Sequence, residues 1–326
     1  MHILRIPKGK GKFRIVYSPE SHEKSNYVML ARRLAQLERL AACNVGIPDI
    51  AHGFIKGRSP VTAALQHVKC KVTISCDIQD FYDSVTAVDI QRGLEFAGLE
   101  FVEREDLANR ACYVGAPESY RPYLLAPRQG LPSSPAASNL AAIALDLRIK
   151  QGLDELGMAY QYTRYADDLT VSLVERDDRE SVDSVLALLA QSVESMRWRL
   201  AHSKTSVQRQ KGGNRVILGI AVGDKIVAPR QTRRRLRAAQ HQKRGPQARG
   251  LREWCALKLP QDRRPLWEKI FAILRGESTV GDCESLAVVS DLFEENGMGF
   301  WAGLARKGTH EARRIIVTRA RQETLQ

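Results

Sequence analysis

The chain has 326 residues, 44% of them hydrophobic and 27% charged, and its 50 Lys and Arg against 37 Asp and Glu give a formal net charge of +13. That length suits one large lobed domain or two ordinary ones with the composition of a soluble globular protein. No apolar run approaches the roughly eighteen residues that span a bilayer, and Met1 to Lys8 carry no export signal, so a cytoplasmic protein with no membrane partner is expected.

The basic excess attracts polyanions and makes nucleic acid the first partner to consider. Cys43, Cys70, Cys76, Cys112, Cys255 and Cys283 are scattered, with neither zinc-site spacing nor the density of a disulfide scaffold. In chain order, Phe13, Ile15 and Tyr17 alternate with Arg14 and Val16 after the segment Pro7 to Lys12, which predicts a hairpin with a glycine-lysine tip. Val28, Leu30, Ala31, Leu34, Leu37 and Leu40 recur at helical spacing from Asn26 until Gly46 and Pro48 stop the helix. Lys71 to Ile78 is β-branched and reads as a buried strand running into Asp77. Phe81 and Tyr82 are taken as strand residues of opposite face.

Ser133 and Ser134 before Pro135 offer a cap and a first-turn proline for a long Ala/Leu-rich helix reaching Gly157. Tyr160 to Val174 predicts a strand pair turning at Ala166-Asp167-Asp168, and Val182 to Leu200 predicts another amphipathic helix. From Lys225 the composition shifts to arginine, with Arg230, Arg233, Arg234, Arg235 and Arg237 close together. Helical patterns at Leu266 to Leu274 and Leu286 to Phe293 complete a basic helical C-terminal part.

The demanding chemistry lies in three acids, Asp77 at a strand end and Asp167-Asp168 in a tight hairpin. Carboxylates at adjacent strand ends converge, and like charges so close call for cations between them. Two divalent ions would serve phosphoryl transfer. Asp-Asp alone is equally an ordinary turn, since Asp favours turns for its own backbone reasons.

The surrounding motifs decide between these readings. Asp77-Ile78-Gln79-Asp80-Phe81-Tyr82-Asp83-Ser84, Gln129-Gly130-Leu131-Pro132-Ser133-Ser134-Pro135 and Tyr165-Ala166-Asp167-Asp168 follow in that order. So arranged, the chain resembles the reverse transcriptase family from about Lys8 to Val222. Phe13-Arg14-Ile15, His52-Gly53-Phe54, Gly57-Arg58-Ser59, Ser203-Lys204-Thr205 and Leu218-Gly219-Ile220 add to the likeness.

The resemblance implies an α+β fold, a right-hand polymerase with fingers, an antiparallel-sheet palm and a helical thumb. Residues 1–225 would be fingers and palm, interleaved, with the palm mainly at 70–90 and 128–225, and 226–326 the basic thumb. It implies RNA-directed DNA polymerisation with an RNA template, a primer and deoxynucleoside triphosphates. Two Mg²⁺, or Mn²⁺, would be held by Asp77, Asp167, Asp168 and the carbonyl of Ile78.

By the same resemblance Lys204 protonates the leaving pyrophosphate, and Tyr82 packs under the incoming sugar, unless it is a core aromatic like Phe81. Gln129 and Gly130 line the nucleotide and template pocket, though Gln129 could instead hold a loop. Arg14, with Lys8, Lys10 or Lys12, grips the triphosphate unless that turn is merely solvated. Arg58 contacts template or nucleotide, and Arg233, Arg234, Arg235 and Arg237 follow the duplex backbone.

The compact plan looks most like a bacterial retron enzyme, which implies a dedicated structured non-coding RNA, a role in phage defence and an effector protein. Ala63-Ala64-Leu65-Gln66-His67 and Ile217-Leu218-Gly219 depart from the usual retron motifs. A group-II-intron-like or abortive-infection enzyme is the runner-up, and a catalytically idle RNA-binding protein on the same fold is the rival of another class.

Overall fold

The computed structural model describes residues 1–9, 12–117 and 123–259, together with Ile316. The helical patterns at Leu266 to Leu274 and Leu286 to Phe293, the hairpin tip at Lys10 and Cys283 lie outside the described residues. The chain divides into two compact units, Met1–Pro260 and Gln261–Gln326. Residues 226–259 fall within the first of these units.

The chain opens with β1 (His2–Gly9) and β2 (Lys12–Ser18), an antiparallel hairpin pairing His2 with Ser18 and Pro7 with Phe13. Helix α1 (Ser21–Asn44) follows, started by a reciprocal capping box between Glu20 and Glu23, and it buries Leu30, Leu34, Leu37 and Ala41 along one stripe. In α2 (Pro60–Gln66), Ser59 accepts from the backbone of Val61 and Thr62 while Pro60 sits in the first turn.

Strand β3 (Val72–Asp77) is buried nearly throughout. Past it the chain leaves the extended conformation: Asp80 has φ +47° and begins a helical turn, α3 (Phe81–Ser84). Phe81 and Tyr82 are thus helical neighbours about 100° apart, not alternating strand residues. Phe81 is still the buried one, edge-on to Trp198 at 5.5 Å, while Tyr82 is half-buried.

Two helices not predicted from the sequence come next, α4 (Ala87–Phe96), capped by Thr86 and Asp89, and α5 (Phe101–Ala111). The short pair β4 (Tyr113–Val114) and β5 (Leu125–Ala126) leads to α6 (Ser134–Glu155). Ser133 stands at the N-cap of α6 but makes no side-chain cap bond there, and the Ser134 hydroxyl donates instead to the Arg128 carbonyl at 2.8 Å. Helix α6 packs against α1, α4 and α7 (Arg179–Ser195), so it is buried on most sides.

Between α6 and α7 lie β6 (Tyr160–Tyr165) and β7 (Asp168–Leu173). The helix after them ends at Ser195, short of the predicted Leu200, which bridges to Ile78 instead. A 3₁₀ turn at His202–Lys204 precedes β8 (Ser206–Arg209). The four strands form one antiparallel sheet in the order β6-β7-β3-β8, with the main core between it and α1, α4, α6 and α7.

A second small sheet comprises β9 (Arg215–Ile217), β10 (Ile220–Val222) and β11 (Ile226–Val227), packed on α2 through Val61, Ala64, Ile217, Ile220 and Val222. Its Leu218-Gly219 turn has both central residues at positive φ, the geometry of a tight two-residue hairpin. Two helices close the described part, α8 (Arg230–His241) and α9 (Gly245–Cys255), packed on each other. Among the described residues no helix is long and apolar enough to cross a membrane, and Cys43, Cys70, Cys76, Cys112 and Cys255 form no disulfide.

Candidate active site

The sheet brings the three acids to one end. Asp77 is the last residue of β3 and pairs in register with Asp168, the first of β7, which closes the hairpin opposite Tyr165. Asp167 lies in the two-residue turn, and its carbonyl accepts from Ile78 N–H at 2.9 Å. The first turn residue, Ala166, has φ +55°, a left-handed conformation that costs a side-chain-bearing residue about 1–2 kcal/mol. Gly53 lies against this turn so closely that a Cβ there would stand 2.6 Å from the Ala166 nitrogen.

Burial and mutual repulsion act on these carboxyls. Asp168 is pushed up to about 6, first by burial and then by Asp167 and Asp77. Asp167 is raised by burial and by Asp77, with Lys204 and Arg14 opposing. The Lys204 ammonium donates to both Asp77 oxygens at 2.7 Å, and that contact raises its own pKa.

Among the described residues no three acids, histidines or cysteines are grouped closely enough to hold a metal ion as they stand. The donor chemistry nonetheless fits hard divalent cations, because these are carboxylate oxygens, because burial and neighbouring charge disfavour ionisation of Asp167 and Asp168, and because the Lys204 cation is already drawn onto Asp77. The Ile78 carbonyl lies outside the two bonds beside it, Gln79 N–H to Arg199 and Ala201 N–H to the Asp77 carbonyl.

Tyr82 projects from α3 near the acids, and its hydroxyl is pushed up to about 12 by burial and by Asp167. Gln129 and Gly130 lie beside the N-terminal hairpin: Tyr17 N–H donates to the Gln129 carbonyl at 2.7 Å. Gly130 has φ +103°, and any Cβ there would collide with the Tyr17 carbonyl and Val16. Arg14, exposed on β2, is near enough for its charge to favour ionised Asp167.

Other candidates fall differently. The Arg58 side chain is only 8% exposed and turned inward, donating to Asp49 at 2.9 Å and to the Ala51 carbonyl at 2.5 Å, so in this arrangement it braces its own loop. Arg233, Arg234, Arg235 and Arg237 are all exposed on α8. Arg230, Arg233, Arg234 and Arg237 share one stripe of that helix, while Arg235 points away from it.

The sequence reading missed the buried polar frame behind the hairpin. Arg164, fully buried on β6, donates to both Asp146 oxygens, to Asn139 at 2.9 Å and to the Ala166 carbonyl at 3.3 Å. Asn139 in turn donates to the Gly53 carbonyl at 2.9 Å. The sequence does carry one trace of it, two polar residues, Asn139 and Asp146, at either end of the apolar run Leu140 to Leu145.

Residues 6–233 match the family model described as reverse transcriptase (RNA-dependent DNA polymerase). The chain is 34% identical over 250 residues to the retron Mx65 reverse transcriptase of Myxococcus xanthus, a match covering 73% of this chain and 54% of that protein. It is 33% identical over 264 residues to the retron Mx162 reverse transcriptase of the same organism, covering 73% and 52%. The chain thus spans about half the length of these curated relatives. Among solved structures, a telomerase from Candida albicans bound to a fragment of telomeric RNA aligns with a TM-score of 0.48 at 13% identity, over 92% of this chain and 64% of that one.

Proposed function

The chain belongs to the reverse transcriptase (RNA-dependent DNA polymerase) family, and on that premise we propose that it extends a primer on an RNA template with deoxynucleoside triphosphates. The observation that carries this reading is the meeting of Asp77, Asp167 and Asp168 at one end of the sheet, with Lys204 drawn onto Asp77.

Asp77, Asp167, Asp168 and the Ile78 carbonyl would hold two divalent cations, Mg²⁺ or Mn²⁺, whose chemistry when bound is activation of the primer hydroxyl and stabilisation of the leaving oxygen. Lys204 carries a proton at Nζ within reach of that end of the site and can deliver it to departing pyrophosphate. Arg14 matches phosphate oxygens from the hairpin. Tyr82 excludes the 2′-hydroxyl of a ribonucleotide by occupying its space, and Gln129 and Gly130 form the wall beside it.

The finer reading is a cytoplasmic retron reverse transcriptase, working with a dedicated structured non-coding RNA to make RNA-linked single-stranded DNA in phage defence, with an associated effector protein. The retron names of the relatives support it. The altered segments Ala63 to His67 and Ile217 to Gly219 keep a group-II-intron-like or abortive-infection enzyme as the alternative. In the domain plan that accompanies this reading, residues 1–225 are fingers and palm and 226–326 the thumb.

Primer extension on an RNA template with Mg²⁺ is the direct test. Asp167→Asn or Asp168→Asn should lower extension by on the order of 10⁴-fold while RNA binding stays near the wild-type value. Turnover by both variants would overturn the site, and binding without extension by the unmodified chain would favour an idle RNA-binding protein. Sequencing the nucleic acid that copurifies from the host separates the finer readings, since a branched RNA–DNA molecule identifies a retron.

A further inference from the structure

Two of the proposed pocket elements, the helical turn carrying Tyr82 and the loop carrying Gln129 and Gly130, come from distant parts of the sequence. They are joined by one buried ion pair. Asp83, the residue after Tyr82, accepts from Arg128 Nη1 at 2.7 Å, and Arg128 is the residue before Gln129. The Arg128 side chain is fully buried, whereas that of Asp83 is 28% exposed.

The remaining donors of the guanidinium fix the surrounding chain: Nε reaches the Tyr113 carbonyl at 2.9 Å and Nη2 reaches the Leu124 carbonyl. The Arg128 main chain is held as well, its carbonyl accepting from the Ser134 hydroxyl at 2.8 Å and from Leu131 N–H at 3.2 Å. Gln129 and Gly130 then press on Tyr17 and Val16 of the hairpin that carries Arg14.

We propose that the Arg128–Asp83 pair is a specificity-positioning device: it sets the separation between the Tyr82 ring and the Gln129–Gly130 wall, and so the room available at C2′ of the incoming nucleotide. The inference rests on the reading of Tyr82 as the residue under the sugar. A planar guanidinium reaching three separate acceptors fixes both position and orientation, which the single ammonium of lysine cannot do. A steric filter against one hydroxyl is sensitive to shifts well below an ångström, since its whole effect is a clash that relaxes steeply with distance. Neither residue touches the nucleotide in this scheme; both act through Tyr82 and the wall.

The test is the ratio of deoxyribonucleotide to ribonucleotide incorporation on one primed RNA template, measured for Asp83→Asn, Arg128→Lys, Tyr82→Val and the double variant of Tyr82→Val with Asp83→Asn. Asp83→Asn and Arg128→Lys should each lower the ratio about tenfold, with a larger change in KM than in kcat for the deoxynucleotide. In the Tyr82→Val background Asp83→Asn should add little further loss of selectivity, because its effect passes through the ring already removed. Arg215→Lys, at a buried arginine bonded to Thr73 and the His67 carbonyl, controls for reduced stability and should lower Tm while keeping the ratio.

If the wild-type chain extends and discriminates and Tyr82→Val relaxes selectivity, yet Asp83→Asn and Arg128→Lys keep the wild-type ratio, the positioning role is overturned alone. If Tyr82→Val itself leaves the ratio unchanged, the reading of Tyr82 fails first. Should Arg128→Lys not fold, Asp83→Asn decides the matter, since its partly exposed side chain keeps an acceptor oxygen.

Discussion

At the scale of single residues, the role proposed for Tyr82 would make one step along the backbone, from Phe81 to Tyr82, separate stability from selectivity. Phe81 is buried against Trp198, so Phe81→Ala should cost about 3–5 kcal/mol of stability. Tyr82→Val should instead leave unfolding nearly unchanged and admit ribonucleotides far more readily. Thermal unfolding together with the deoxy-to-ribo ratio of both variants checks this, and a reversed pattern would mean that the two rings have been assigned the wrong way round. Gly53 offers a second case. Its α-carbon meets the Ala166 nitrogen with no room for a methyl group, so Gly53→Ala must push the hairpin that carries Asp167. A loss of about 1–3 kcal/mol is expected, with extension falling at temperatures where the variant is still folded; wild-type extension there would show that the hairpin tolerates the shift. The three aspartates were legible from the sequence because each lies in a motif of fixed local order. The joining of Arg164 to Asn139 and Asp146 was not, because polar residues beside an apolar helical run do not say which distant strand residue they pair with.

At the scale of elements, periodicity found those that bury one face. Helix α1, with its one buried stripe, and strands β3, β6 and β7, with their clear end signals, were read at nearly their observed places. Helix α4 was missed, and Gly93 is part of the reason. In a sequence it reads as a breaker, yet here a Cβ would collide with the Leu140 carbonyl, so the glycine is what lets α4 lie close on α6. Helix α1 also carries a buried carboxyl that its pattern does not explain. Glu38 is pushed from 4.5 up to about 7, chiefly by burial, with Arg164, Arg58 and Arg39 pulling it down and Asp146 pushing it up. The folded chain therefore holds this proton after the unfolded chain has released it. The resulting contribution to stability is fully present below about pH 4.5 and is lost as pH rises through about 7, amounting to about 3 kcal/mol. Glu38→Gln should flatten that part of the stability curve and make the protein more stable at pH 8 than the unmodified chain. Denaturant unfolding at pH 5 and pH 8 measures it; an unchanged difference between the two would show that Glu38 ionises normally in the fold.

At the scale of the whole molecule, the charge of +13 was legible as a count but not as a shape. The structure gives part of that charge a direction. On α8 the stripe of Arg230, Arg233, Arg234 and Arg237 repeats every three or four residues, so the four guanidiniums project from one side of a rigid rod. A helix rises about 1.5 Å per residue, so the stripe runs about one turn for each arginine pair, a spacing that suits successive phosphates of a nucleic-acid backbone. Arg235 is exposed too, yet it faces away from the stripe. If affinity for template and primer came from net charge alone, every arginine of α8 would count equally. If it comes from the stripe, position decides. The combined variant Arg233→Ala, Arg234→Ala and Arg237→Ala should lower the slope of log K against log salt by about 0.7–0.9 for each phosphate that is no longer neutralised, and Arg235→Ala should change it by much less than one such step. Binding titrations of a primed RNA template over a range of salt, with each variant confirmed folded, measure both slopes. Equal slopes per arginine removed would reduce α8 to a diffuse basic surface, while no change in either would make the stripe a solvated face and move the nucleic-acid contact elsewhere on the molecule.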